Sequence, residues 1–118
     1  MVLNTLNALT SEVPTLNCGI SDAIANISPG GTASAGFTAA YGKLSSVVVG
    51  ITGANPTIAE LNAVSTATAG VVTATISGSK TQLAALTTAV TDTITVTISS
   101  EAMTVAEVGT LAGKTSVT

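Results

Sequence analysis

The sequence predicts an α/β repeat: a solenoid of short parallel β-strands, each followed by a short helix. It has three copies, an open C-terminal edge and a small helical cap in front. Three observations carry this reading. A segment recurs three times in the later part of the chain, with anchor residues 25 and 22 positions apart. Within each copy the apolar period changes from two to three, the change expected between a half-buried strand and a helix stripe. The chain has 118 residues, of which 46% are hydrophobic but only 2% aromatic. That balance suits a thin coil interior, and the length allows one domain.

Residues 1–45 stand outside the repeat. Leu3, Leu6, Leu9 and Val13 space out one helical stripe, ended by Pro14. Ile20, Ala23, Ile24 and Ile27 predict a second helix, started by Ser21 or Asp22. Ser28-Pro29-Gly30-Gly31-Thr32 is a loop. Phe37, Ala40, Tyr41 and Leu44 form a third short stripe. Atypical end units commonly cap solenoids, so this region reads as a cap or as an anchoring region that docks on another protein.

Residues 46–118 carry the copies, divided at 46–70, 71–92 and 93–115. Val47-Val48-Val49-Gly50-Ile51-Thr52-Gly53 aligns with Val72-Thr73-Ala74-Thr75-Ile76-Ser77-Gly78 and with Ile94-Thr95-Val96-Thr97-Ile98-Ser99-Ser100. The anchors are Ile51, Ile76 and Ile98. Seven positions later stand Ile58, Leu83 and Val105, and ten positions later Leu61, Leu86 and Val108. Val72, Ala74 and Ile76 fall on one strand face and Thr73 and Thr75 on the other; Leu83, Leu86 and Ala89 then make a helix stripe. Small polar residues between the two halves predict a turn that caps the helix, and Asn55-Pro56 fits the same place. A unit of this size cannot bury its own apolar face; stacked copies can, with the six anchors Ile51, Ile76, Ile98, Leu61, Leu86 and Val108 as core. Ser116-Val117-Thr118 reads as the start of a fourth strand. The exposed edge it implies is covered either by a continuing chain or by another molecule.

The composition excludes much chemistry. There is no His, Arg or Trp, so imidazole bases, Ser-His-Asp relays, ordinary zinc sites and bidentate phosphate clamps are missing. Lys43, Lys80 and Lys114 against six acids give a net charge of -3, the wrong sign for nucleic acid. No apolar run approaches the roughly 20 residues of a membrane span, and no basic residue precedes Lys43 to start an export signal. Cys18 has no partner for an internal disulfide and reads as a small buried residue or a cross-link between chains. Asp92, Glu101 and Glu107 match no calcium motif and read as solvated charges. Asn26-Ile27-Ser28 precedes Pro29 and reads as a chance acceptor sequence; Gly30-Gly31 lacks the lysine of a phosphate loop. No catalytic residue, cofactor or metal ligand is expected.

One surface feature remains. Thr73, Thr75, Thr95 and Thr97 fall on the outward strand face, stacked in register as Thr-x-Thr, a pattern similar to the flat faces of ice-binding solenoids. Threonine is also a common β-former on any exposed sheet.

The run from Val72 to Leu86, with its Thr/Ala-rich neighbours, resembles tandem repeats of large surface proteins of marine bacteria and of structural proteins of cyanobacterial phages. The resemblance covers about residues 46–118 and implies a structural or adhesive role. The expectation is therefore a non-enzymatic structural protein of an extracellular or virion assembly, such as a phage fibre, capsid decoration or filament subunit. It would self-associate or pack on other virion or surface proteins, and would leave a cell by lysis or through an export address that lies elsewhere. The alternative is a surface-adhesion or ice-binding module that uses the threonine face.

Overall fold

A computed structural model of the chain describes residues 19–42 and 48–115. β1 (Ile20–Ala23) runs directly into a single helical turn, α1 (Ile24–Ile27). A 3-10 turn over Pro29–Gly31 leads to α2 (Ala35–Tyr41). Then strands and helices alternate: β2 (Val48–Thr52), α3 (Ile58–Ala67), β3 (Val71–Gly78), α4 (Lys80–Leu83), β4 (Thr93–Ile98) and α5 (Val105–Ala112). The four strands form one parallel sheet in sequence order. Parallel neighbours need a connection that returns the chain to the starting end, and each helix-containing segment provides it.

Alternation in the sequence becomes alternation in space. In β3, Val72, Ala74 and Ile76 are buried while Thr73, Thr75 and Ser77 face water. The inward row continues through Ile20, Val49 and Ile94, against Leu61 and Val64 of α3, Leu83 of α4, and Leu86 beyond it. Ile24, Ile27, Phe37 and Ala40 fill the same core at the N-terminal side. Each of these large side chains contributes about 1.5–3 kcal/mol by leaving water. Ile51 and Ile98 are only partly buried, packed on the edge of this core.

Each of the three later helices starts with the same device. Thr57, Ser79 and Thr104 are N-caps whose hydroxyls accept the backbone N–H of Glu60, Gln82 and Glu107; those side chains reach back to the cap's own N–H. This reciprocal box satisfies donors that a helix start leaves unpaired.

Four expectations are corrected. Residues 20–23 are a strand, not the start of a helix, because Ile20 pairs with Val49 and Ala23 with Thr52; the sheet thus crosses the boundary expected at residue 45. The strand register is two residues out of the expected step: Val49 pairs with Val72 rather than Ala74, and Ile76 with Val96 rather than Ile98. A slip of two keeps every side chain on its face, so hydrophobic alternation does not detect it. The caps align Leu61 with Leu83 rather than Leu86, about one helical turn from the expected alignment of the middle copy, while Val108 keeps its expected place opposite Leu61. Lastly, α4 stops at Leu83 instead of running to Ala89; the backbone tightens as the N–H groups of Ala85 and Leu86 donate to Gln82 and Leu83. The stripe over Leu3–Val13, Lys43, Leu44, Cys18 and the strand start at Ser116–Thr118 lie outside the described residues.

Side-chain hydrogen bonds tie each segment to the next one along the sheet. Asn55 donates to the Ser77 carbonyl at 3.2 Å and accepts the Ser77 N–H at 2.8 Å. Asn62 does the same between the Ala85 carbonyl (3.0 Å) and the Thr87 N–H (2.8 Å). The Tyr41 hydroxyl accepts the Ala69 N–H. Lys114 Nζ donates to the carbonyls of Ala84 and Leu86. These side chains supply the lateral bonds that irregular turns cannot make by themselves.

Candidate functional site: the outward sheet face and the last helix

The outward face of the sheet is set by the strand period. Its positions are Ser21 and Ala23 on β1, Val48, Gly50 and Thr52 on β2, Val71, Thr73, Thr75 and Ser77 on β3, and Thr93, Thr95 and Thr97 on β4. None is charged and none is aromatic. Thr73, Thr75, Ser77, Thr95 and Thr97 are exposed. The rungs are Thr73–Thr93, Thr75–Thr95 and Ser77–Thr97. The sequence pairing of Thr73 with Thr95 and Thr75 with Thr97 is therefore corrected by the two-residue slip, and Ser77 and Thr93 join the array. The first rung continues through Gly50 to Ser21, so the hydroxyl row has one gap at the glycine.

On the helix side, α5 differs from its predecessors. Leu61 and Val64 on α3, and Leu83 with Leu86 at the equivalent places of the next segment, are fully buried. On α5 the equivalents are Val108, 51% exposed, and Leu111, partly buried; Val105 is 91% exposed. Val108 was expected as a core anchor. It is not one, because no described element lies over this helix. Between α4 and α5 runs a cleft of about 310 Å³, lined by Leu83, Met103 and Leu111 among others. Lys80 closes one side, 3.2 Å from Glu107 and donating to the Ala102 carbonyl.

The acids divide. Glu107 and Glu60 work in capping boxes, and the backbone N–H of Thr104 or Thr57, then its hydroxyl, holds each carboxyl below the ordinary glutamate range. Glu101 accepts the Lys80 N–H. Asp92, expected as a solvated charge, is 1% exposed. Its Oδ1 accepts the Val72 N–H at 2.9 Å, and its Oδ2 accepts the Ser65 hydroxyl at 2.7 Å and the Ala89 N–H at 3.0 Å. Thr115 does the corresponding work one segment later, accepting the Ile94 N–H and donating to the Asp92 and Ile94 carbonyls. Among the described residues no group of three or more His, Cys, Asp or Glu side chains could hold a metal ion. Among them also, no helix is long and apolar enough to cross a membrane.

Of two features that alternation misses, the sequence contained a signal for one. Thr57-x-x-Glu60, Ser79-x-x-Gln82 and Thr104-x-x-Glu107 match the capping-box pattern and align the helices correctly. Asn55 and Asn62 carry no such local signal, since their partners lie 22 or more residues away. No family model matches this chain, and neither a curated protein nor a solved structure matches it.

Proposed function

We propose that the protein is a non-enzymatic structural component of an extracellular or virion assembly, built as a β-α solenoid that associates end to end with further copies. On this reading residues 46–118 are three stacked coils, and the β1–α2 region is an atypical first coil that caps them. The observation that carries the reading is the last helix. Its Val108 and Leu111 repeat the positions that Leu61 with Val64 and Leu83 with Leu86 fill, fully buried, in the preceding segments, yet Val108 is 51% exposed and Val105 beside it stands in water. An exposed stripe of this kind marks an interaction surface or an aggregation hazard, and a copy stacked on it covers the stripe and the β4 edge together. The Thr/Ala-rich composition and the resemblance of residues 46–118 to surface and phage structural repeats point the same way. A head-to-tail contact of this kind does not close on itself and so generates filaments.

The test is light scattering across a concentration series, with Val108→Lys beside the natural sequence. Val108 is exposed, so the lysine changes folding stability little, within about 0.5 kcal/mol. The natural protein should rise in mass with concentration, and the variant should remain near 11.4 kDa. A natural protein that stays monomeric at every concentration sinks the reading.

A further inference from the structure

We propose that the outward face of β3 and β4 binds crystalline water, through the array Thr73–Thr93, Thr75–Thr95 and Ser77–Thr97. An ordinary soluble sheet face is guarded by charged side chains, which also block edge and face association. Here every outward strand position, from Ser21 on β1 to Thr97 on β4, lacks charge. The partner this face fits is therefore neutral as well. A neutral polysaccharide would need aromatic platforms for its sugar rings, and the face has none. Phe37 is buried in the core, and the Tyr41 hydroxyl accepts the Ala69 N–H.

What the face does offer is regularity. Parallel strands place the two members of a rung about 4.8 Å apart, and alternate residues along a strand about 6.6 Å apart. These repeats lie near those of the prism plane of hexagonal ice. Threonine adds a methyl and a hydroxyl on one stiff χ1, so the groups are ordered before contact and little rotamer entropy is lost. The hydroxyls can enter a water lattice as donors and acceptors, while the methyls sit in its hollows. A charged side chain would hold its own hydration shell and disturb that lattice. The inference does not depend on end-to-end assembly, since α5 and the sheet face are different surfaces.

The experiment measures thermal hysteresis, and uptake of labelled protein into slowly grown polycrystalline ice. It uses the full chain, Thr75→Lys, Thr95→Lys, the off-face control Thr66→Lys, and the assembly variant Val108→Lys; circular dichroism checks that each is folded. Thr66 is exposed on α3, away from the sheet. The expected result is measurable hysteresis and ice uptake for the natural sequence, Thr66→Lys and Val108→Lys, falling to buffer level in both face variants. Exclusion of the folded natural protein from ice overturns the inference, as does uptake that Thr75→Lys and Thr95→Lys leave unchanged. Retention on crystalline cellulose or chitin without ice uptake overturns it in favour of a carbohydrate face. Hysteresis that survives in monomeric Val108→Lys separates this outcome from the fate of the assembly reading.

Discussion

Replacing Asp92 with asparagine keeps the shape of the side chain but turns one of its two acceptor oxygens into a donor. All three of its described partners are donors: the Val72 and Ala89 N–H groups and the Ser65 hydroxyl. If the amide oxygen faces Ala89 and Ser65, its NH2 meets the Val72 N–H, so the Val72 N–H loses its acceptor and the new NH2 faces a donor at a site 1% exposed. A hydrogen bond to a charged group contributes about 1.5–3 kcal/mol, and an orphaned buried donor costs about 1–3 kcal/mol. Removing the buried charge returns part of this, because its desolvation is no longer needed. The net expectation is a loss of about 2 kcal/mol, or about 10 °C in Tm for a domain of this size. Asp92→Thr should recover a good part of it, since Thr115 satisfies the Ile94 N–H one segment later with a hydroxyl. Thermal and urea unfolding by circular dichroism give both values. An Asp92→Asn protein within about 0.5 kcal/mol of the natural one, the range of an ordinary surface change, would refute the reasoning.

Three further outcomes are expected. Ser28 has a fully buried hydroxyl with no hydrogen-bond partner among the described residues, so Ser28→Ala should raise stability by about 1 kcal/mol, read as a higher urea midpoint. Asn62→Ala removes two lateral bonds at a partly exposed place; it should lower stability by about 1 kcal/mol, and faster amide exchange at Thr87 should accompany the loss. The third concerns acid. Glu60 and Glu107 are held below the usual glutamate range when folded, so their contribution is complete above the unfolded value and disappears as pH falls through the lower folded one. The double variant Glu60→Gln, Glu107→Gln should therefore lose less stability on acidification than the natural protein. Its helices should stay capped, as Gln82 already caps α4. Equal acid sensitivity in the two proteins would show that the boxes do not contribute.

Much of the architecture was legible because strand and helix periods differ. From Val72 to Ser77 in β3 each apolar residue is followed by a hydroxyl residue, and that alternation alone assigns the faces of Val72, Ala74 and Ile76. Register was not legible: a chain of Thr, Ala, Val and Ile looks the same two residues along, and pairing energy decides between the alternatives. β1 was hidden for another reason. Ile20, Ala23, Ile24 and Ile27 are spaced like a helix, but the open edge of β2 captures Ile20–Ala23 as a strand, a tertiary override of local pattern. Asp22 then accepts the Ala23 N–H and the Asn26 amide, fastening the turn into α1. Val108 shows the converse case. Its spacing matches the buried stripes of the earlier segments, while its burial depends on what lies beyond α5.

The candidate faces were legible to different degrees. Thr73, Thr75, Thr95 and Thr97 could be placed outward from period alone, whereas the rungs and the addition of Ser77 and Thr93 required the register. Asp92 reads as a solvated charge because Ser65 and Val72 lie 27 and 20 residues away, and the partners of Asn55 and Asn62 are equally distant. Stacking brings neighbouring turns close, and such residues then satisfy backbone groups that would otherwise lie unpaired.

Electron microscopy of the concentrated natural protein tests the central claim most directly, that this chain is a coil made to be extended by further copies. The account predicts narrow particles that lengthen with concentration along the stacking direction, with a strand repeat of about 4.8 Å in diffraction from aligned material; Val108→Lys should abolish them. Uniform compact particles of single-chain mass at all concentrations, unchanged by Val108→Lys, would contradict it.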